Sequence, residues 1–287
     1  IPDVLFLYPK KVPGYVEERG INFLFWVPTV MTSLAAHDAL TENSMPNVKT
    51  ITFVGEVMPT KTLNAWKRKL PGRVYANLYG PTEATCACTC YRIERDFADE
   101  EPLPVGRPID NMRILLLDEE GREVPPGKPG EICILGVGLS LGYYNAPEQT
   151  AASFIQNSQN GRYPEKMYKT GDLGYWDEEG NLRFLGRKDS QIKLRGNRIE
   201  LGDIEAAAGL IEGVQNTCAL YDEKHEKIVL FVESEKEFTL RKFNIQLGNR
   251  LPKYMLPGAL FCLKAFPLTA NRKINRRQLK QDYMENE

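Results

Sequence analysis

The chain has almost no net charge, only two histidines in 287 residues and no apolar run of the roughly 20 residues needed to cross a bilayer. A formal net charge of -1 excludes an overall field that would gather nucleic acid or an anionic membrane. The histidines, His37 and His225, lie far in sequence from the alternating CACTC run at 86–90, and that run lacks the C-x2-C spacing of a metal site. Alternation instead predicts an extended strand with i and i+2 side chains on one face. Free thiols at Cys86, Cys88, Cys90, Cys133, Cys218 and Cys262 fit a reducing cytoplasm. No basic lead precedes the short apolar N-terminus, so no secretory signal is expected. Ile1 opens directly on an apolar segment, as expected of a piece of a longer chain.

What is present is ordinary globular composition, 42% hydrophobic and 26% charged. The first 90 residues alternate. INFLFWV (21–27), VKTITFVG (48–55) and RVYANLYG (73–80) read as strands, the first two buried. PTVMTSLAAHDAL (28–40) and PTKTLNAWKRKL (59–70) carry apolar residues at helical spacing, each with Pro near its start. Strand–helix–strand alternation predicts a parallel α/β layer over about 1–84. From about 85 to 187, short strands such as CACTCYRI, RILLLD, EICILG and LRFLG are punctuated by Gly and Pro, which predicts an antiparallel β subdomain. From 190 to 287 a small α+β unit is expected, with 16 basic against 13 acidic residues.

Four stretches could carry chemistry. In NLYGPTEAT (77–85), at the end of a predicted parallel strand, Tyr79 offers a flat ring, Thr82 a hydroxyl for a phosphate oxygen and Glu83 a hard oxygen ligand for Mg2+. The same residues also make an exposed turn with Pro at its second position. In MYKTGDLGYW (167–176), Asp172 can accept both hydroxyls of a ribose or bond to its own turn. FLGRKDSQIKLRGNRIELGDIE (184–205) sets basic residues across the expected domain junction. In FPLTANRKINRRQL (266–279), Lys273 stands in a turn-rich loop just before a helix.

In this order and spacing, these stretches resemble the adenylate-forming enzymes, most closely the amino-acid adenylation domains of nonribosomal peptide synthetases, including D-alanine–carrier-protein ligases. VGEVMP (54–59), NLYGPTEAT, VGRPI (105–109), GEICILGVGLSLGYYNAPEQT (130–150), YKTGD (168–172), GRKDSQIKLRGNRIELGDIE (186–205) and PLTANRKINR (267–276) carry the resemblance over nearly the whole chain. It implies that Tyr79 stacks on adenine, with Asn77 and the Gly55–Glu56 turn at its edge. Thr82 would touch the α-phosphate, Glu83 hold Mg2+, and Asp172 and Arg187 hold the ribose. Thr52, Val54, Leu78, Cys86 and Ala87 would lie at the acyl pocket, whose Leu78 and Val54 favour a small or medium apolar group. Asp189 would be the hinge between a large domain (1–187) and a small mobile one (190–287). Lys273 would serve adenylate formation, and Lys193 would face the site in the second conformation.

The implied activity is ATP-dependent adenylation of an amino acid, giving acyl-AMP and pyrophosphate, then transfer to the phosphopantetheine thiol of a carrier protein. Two alternatives are an acyl-CoA ligase for a carboxylic acid that is not an amino acid, and a non-catalytic nucleotide-binding or carrier-docking fragment. The family's Lys-bearing phosphate loop and its amine-binding Asp motif are absent, so the chain resembles a C-terminal portion that would not adenylate alone. The closing motif also departs from the pattern. Asn271-Arg272-Lys273-Ile274-Asn275-Arg276 has Arg where the family has Gly and Asn where it has Asp. A turn needing positive φ at 272 would be strained by Arg.

Overall fold

A computed structural model describes residues 1–42, 44–188, 191–194 and 197–285. After α1 (Val12–Glu18), the chain forms β1 (Phe23–Trp26), α2 (Pro28–Ala36), β2 (Thr50–Val54), α3 (Thr60–Lys69) and β3 (Val74–Tyr79). β1, β2 and β3 pair in parallel, and β4 (Thr89–Arg92) and β5 (Arg107–Pro108) extend the same sheet antiparallel. Alternation along β2 sends Ile51 and Phe53 into a core with Leu24, Met31, Leu34, Leu63 and Trp66. α3 turns Leu63 and Trp66 to that core and ends in Lys67, Arg68 and Lys69, whose charges complement its C-terminal dipole.

Two expectations need correction here. INFLFWV is not a buried strand throughout: β1 is a four-residue edge, and Phe23 and Phe25 are 50% and 45% exposed while Leu24 is buried. An edge strand has a neighbour on one side only, and here only one of its faces meets the helices. Nor is CACTC extended throughout. Cys86 has φ 78 and follows Thr85 at φ 55, so the strand starts only at Thr89 and joins the first sheet rather than the second.

The second sheet is antiparallel, in the order β10 (Leu182–Arg187), β9 (Lys166–Trp176), β7 (Gly130–Gly136), β6 (Met112–Leu117). α4 (Pro147–Ser153) leads into β8 (Phe154–Gln156), which pairs with β9. Beyond it, β11 (Gln191–Leu194) and β12 (Asn197–Glu200) form a hairpin before α5 (Leu201–Gly209). β13 (Asn216–Asp222) and β14 (Lys227–Glu233) are antiparallel. After α6 (Leu240–Leu247), β15 (Ala259–Leu263) pairs in parallel with β14, and α7 (Arg276–Glu285) closes the chain. Period-2 alternation divides β14 between two cores. Ile228, Leu230 and Val232 pack with α5 and α6, whereas Val229 and Phe231 pack with Leu279 and Tyr283 of α7. Among the described residues no helix is long and apolar enough to cross a membrane.

The segment before β5 staples the two large sheets together. Asn77 Nδ2 donates to Pro104 O (2.8 Å) and Thr89 Oγ1 to Val105 O (2.6 Å) on the first-sheet side. On the other side Val105 N donates to Leu182 O (2.9 Å), Leu182 N to Gly106 O (2.8 Å) and Arg183 Nη1 to Pro102 O (2.9 Å). Gly106 makes this approach at φ 85, where a Cβ would stand 2.0 Å from Cys90 O. Overpacking and a left-handed non-glycine residue then act together, so Gly106→Ala is expected to lower stability by about 2–5 kcal/mol. Urea unfolding reads this as a fall in midpoint. An unchanged midpoint would show that the staple tolerates a side chain.

Candidate functional site

The two sheets meet at Asp172, a buried carboxylate in β9. Tyr79, the last residue of β3, donates its hydroxyl to Asp172 Oδ2 at 2.6 Å. Arg187 lies directly opposite Asp172 in the β9–β10 register and donates from Nη1 to Oδ1 (3.2 Å) and to Thr170 O (3.3 Å). Asp172 N donates to Thr170 Oγ1, whose own proton goes to Ile132 O, which fixes the turn around Gly171 at φ 72. Burial first, then the charge of Asp172, hold the Tyr79 phenol well above its ordinary pKa. The neighbouring Cys88 thiol donates to Tyr79 O and is pushed up to about 12 by burial and then by Asp172. Tyr79 is thereby kept a neutral donor. Its ring packs 6.0 Å from that of Phe184.

The Y-G-P-T-E loop continues from Tyr79 into a single 3-10 turn, Thr82–Ala84, leaving Thr82 exposed. Glu83 is held from two directions by the 138–143 loop. Ser140 N donates to its carbonyl (2.8 Å) and Tyr143 Oη to its Oε1 (2.6 Å). Tyr143 lies 3.4 Å from the Tyr168 hydroxyl, and Phe154 packs on both rings. Tyr143 and Tyr168 are contributors that the sequence did not single out. Tyr143 lies inside a stretch read as a motif, but it is 60 residues from Glu83 and no local spacing links the two. Glu83 offers a single carboxylate, a hard oxygen donor of the kind a divalent cation takes alongside phosphate oxygens.

β2 ends beside β3, with Val54 in register with Leu78. Thr52, Val54 and Leu78 share the sheet face opposite the helices. Thr52 Oγ1 bonds to Leu24 O, and Thr52 and Val54 are buried. Ala87 is half-buried and Cys86 exposed on the turn after Glu83. Asn77 is buried with its amide on Pro104 O, which fixes the end of β3. Gly55 follows β2 at φ 93, and a Cβ there would lie 2.8 Å from Lys273 Nζ. Glycine thus leaves room for the ammonium against bare backbone.

Glu56 holds this arrangement. Its Oε2 accepts from Thr29 N (3.0 Å) and Thr29 Oγ1 (2.6 Å) in the first turn of α2, serving as an external cap. Its Oε1 accepts from Ile274 N at 3.3 Å. Arg276 is engaged elsewhere, in a bidentate pair with Glu205 at 2.7 Å. Lys193 lies in β11, and Asp189 falls outside the described residues.

A model of the AMP-binding enzyme family matches residues 2–144. The chain belongs to that family. It is 34% identical over 280 residues to zwittermicin A synthase ZmaJ of Bacillus cereus, covering 95% of this chain and 53% of that protein. It is 35% identical over 269 residues to tyrocidine synthase 1 of Brevibacillus parabrevis, covering 92% and 24%. The crystal structure of holo-AB3403, a four-domain nonribosomal peptide synthetase bound to AMP and glycine, superposes with TM-score 0.78 at 32% identity, covering 93% of this chain and 20% of that one. Klebsiella oxytoca NpsA shares the fold, with TM-score 0.83 at 22% identity, 99% of this chain and 56% of that one. The chain spans about half the length, or less, of the curated relatives it matches.

Tyr79→Phe keeps the ring and removes one donor from the buried Asp172. It is expected to cost about 1.5–3 kcal/mol, the range for a hydrogen bond to a charged group. Urea unfolding of the two chains measures this, and equal stability would show that the carboxylate does not depend on Tyr79.

Proposed function

We propose that this chain supplies the adenosine- and adenylate-facing part of a ligase that activates an amino acid with ATP and passes it to a carrier-protein phosphopantetheine thiol. The observation that carries the reading is Lys273 Nζ set against Gly55 at the C-terminal end of β2, beside the strand that delivers Tyr79. In open α/β sheets that edge is where ligands bind. The family membership and the nonribosomal peptide synthetases among its relatives support the choice of reaction class.

In this reading Tyr79 offers its ring to adenine. Asp172 and Arg187 receive the ribose hydroxyls, with the carboxylate accepting and the guanidinium orienting it. Thr82 donates to the α-phosphate. Mg2+, when bound at Glu83, would offset phosphate charge. Lys273 places a compact positive charge where the substrate carboxylate attacks the α-phosphate, stabilising charge that redistributes in the transition state. Gly55 gives Lys273 its seat, Glu56 the bond that holds the seat and the 274 backbone together, and Asn77 the fixed end of β3. Thr52, Val54, Leu78, Cys86 and Ala87 border the acyl group, which would be small or medium and apolar. Residues 1–187 form the larger domain and 190–287 the smaller. A turn about Asp189 then withdraws Lys273 and brings Lys193 to the site for thiol transfer. All six cysteines are free thiols, which supports a reducing compartment such as the cytoplasm.

The test is ATP–pyrophosphate exchange by the full-length protein across a panel of amino acids and other carboxylic acids. Exchange dependent on an amino acid is expected. Exchange confined to carboxylic acids without an amine would move the assignment to an acyl-CoA ligase. AMP binding without any exchange would make the protein a nucleotide-binding module.

A further inference from the structure

Lys273 sits in a tight loop whose preceding residue is conformationally costly. Arg272 has φ 61, in the left-handed region that a side chain with a Cβ disfavours. The loop is internally well bonded. Arg272 N donates to Thr269 O (2.9 Å), Thr269 N to Lys273 O (2.8 Å) and Lys273 N to Thr269 Oγ1 (3.2 Å). Those bonds shape the turn but do not dock it. Among the described residues, contacts reach across from the first sheet's domain on each side of Lys273. After it, Ile274 N is held by Glu56. Before it, the Arg272 guanidinium lies 5.5 Å over the ring of Phe6.

Phe6 is a firm platform. Its ring meets Trp26 edge to face at 6.2 Å, and Trp26 meets the fully buried Trp66 in the same way at 6.0 Å. Trp66 is itself tied by its Nε1 to Met31 O. A row of rings thus runs from the first core to the loop, and a cation closes its outer end.

We propose that Arg272 is a positioning residue: its stack on Phe6 is a latch that, together with the Glu56–Ile274 bond, holds Lys273 against Gly55. The planar guanidinium suits a ring face, which a glycine cannot contact at all. The consequence for catalysis rests on the role proposed for Lys273. The latch itself does not, and any swing of the smaller domain must release it.

The experiment is amine acylation of this chain without nucleotide. Mass spectrometry would follow the rate at Lys273 relative to the exposed Lys280. Phe6→Leu and Arg272→Gln keep bulk and, for Arg272→Gln, the same backbone cost. Each is expected to raise the Lys273 rate about two- to fivefold, the factor carried by a partly exposed cation–π contact. The double variant is expected to rise no further than either single. Arg272→Gly separates latch from turn, because glycine makes the turn easier yet removes the stack, so the rate is again expected to rise. An unchanged rate in Phe6→Leu, additive effects in the double variant, or a slower rate in Arg272→Gly would overturn the latch. The Lys280 rate and the urea midpoint report folding independently, and loss of pyrophosphate exchange plays no part in the readout.

Discussion

Asp172 is the carboxylate on which the arrangement of the site depends. Burying a charge is costly unless it is hydrogen-bonded, and Asp172 resolves that cost by drawing one donor from each sheet. Tyr79 comes from the end of the parallel strand β3, and Arg187 from its register position on β10. Charge-assisted bonds of this kind are among the stronger polar contacts available to a protein. The sheets share no strand, so their relative placement rests on this contact, on the stapling segment around Val105 and Gly106, on the bonds between the Glu83 turn and the 138–143 loop, and on side-chain packing. Placing Tyr79 fixes the start of the Y-G-P-T-E loop, and with it the exposure of Thr82 and the approach of Glu83 to Tyr143.

A second constraint is the bare backbone at Gly55. Basic residues crowd the 272–277 segment, but they are not equivalent. Arg276 is held by Glu205, and against a partial desolvation that pair pulls its guanidinium further toward the charged form. Arg272 spreads over Phe6. Lys273 alone of these three is set against Gly55, and its compact ammonium fits a space that a branched planar cation would not.

Much of this was legible in the residues. Helical spacing located α2 and α3, and the stretches read as strands beside them contain β2 and β3, because each commits a face to the first core. Tyr79 and Arg187 close β3 and β10 while Asp172 lies within β9, and the positive φ anticipated at 272 is present. Other features were hidden for physical reasons. The CACTC alternation looked extended, but two consecutive left-handed residues, Thr85 and Cys86, bend it before the ladder begins. Apolar composition suggested that β1 was buried, yet an edge strand leaves Phe23 and Phe25 open. The Tyr143–Glu83 bond and the Glu56 bridge from Thr29 to Ile274 span tens to hundreds of residues, so no local pattern encodes them.

The most direct measurement compares two half-reactions of the full-length protein carrying Lys273→Ala: ATP–pyrophosphate exchange, and thioester formation from a supplied acyl-adenylate. A cation aimed at developing charge contributes about 10²–10³-fold. Exchange should therefore fall by at least about 10²-fold, while transfer from preformed adenylate survives. Equal loss in both half-reactions, or unchanged exchange in Lys273→Ala with loss in Arg272→Ala instead, would contradict the role assigned to Lys273.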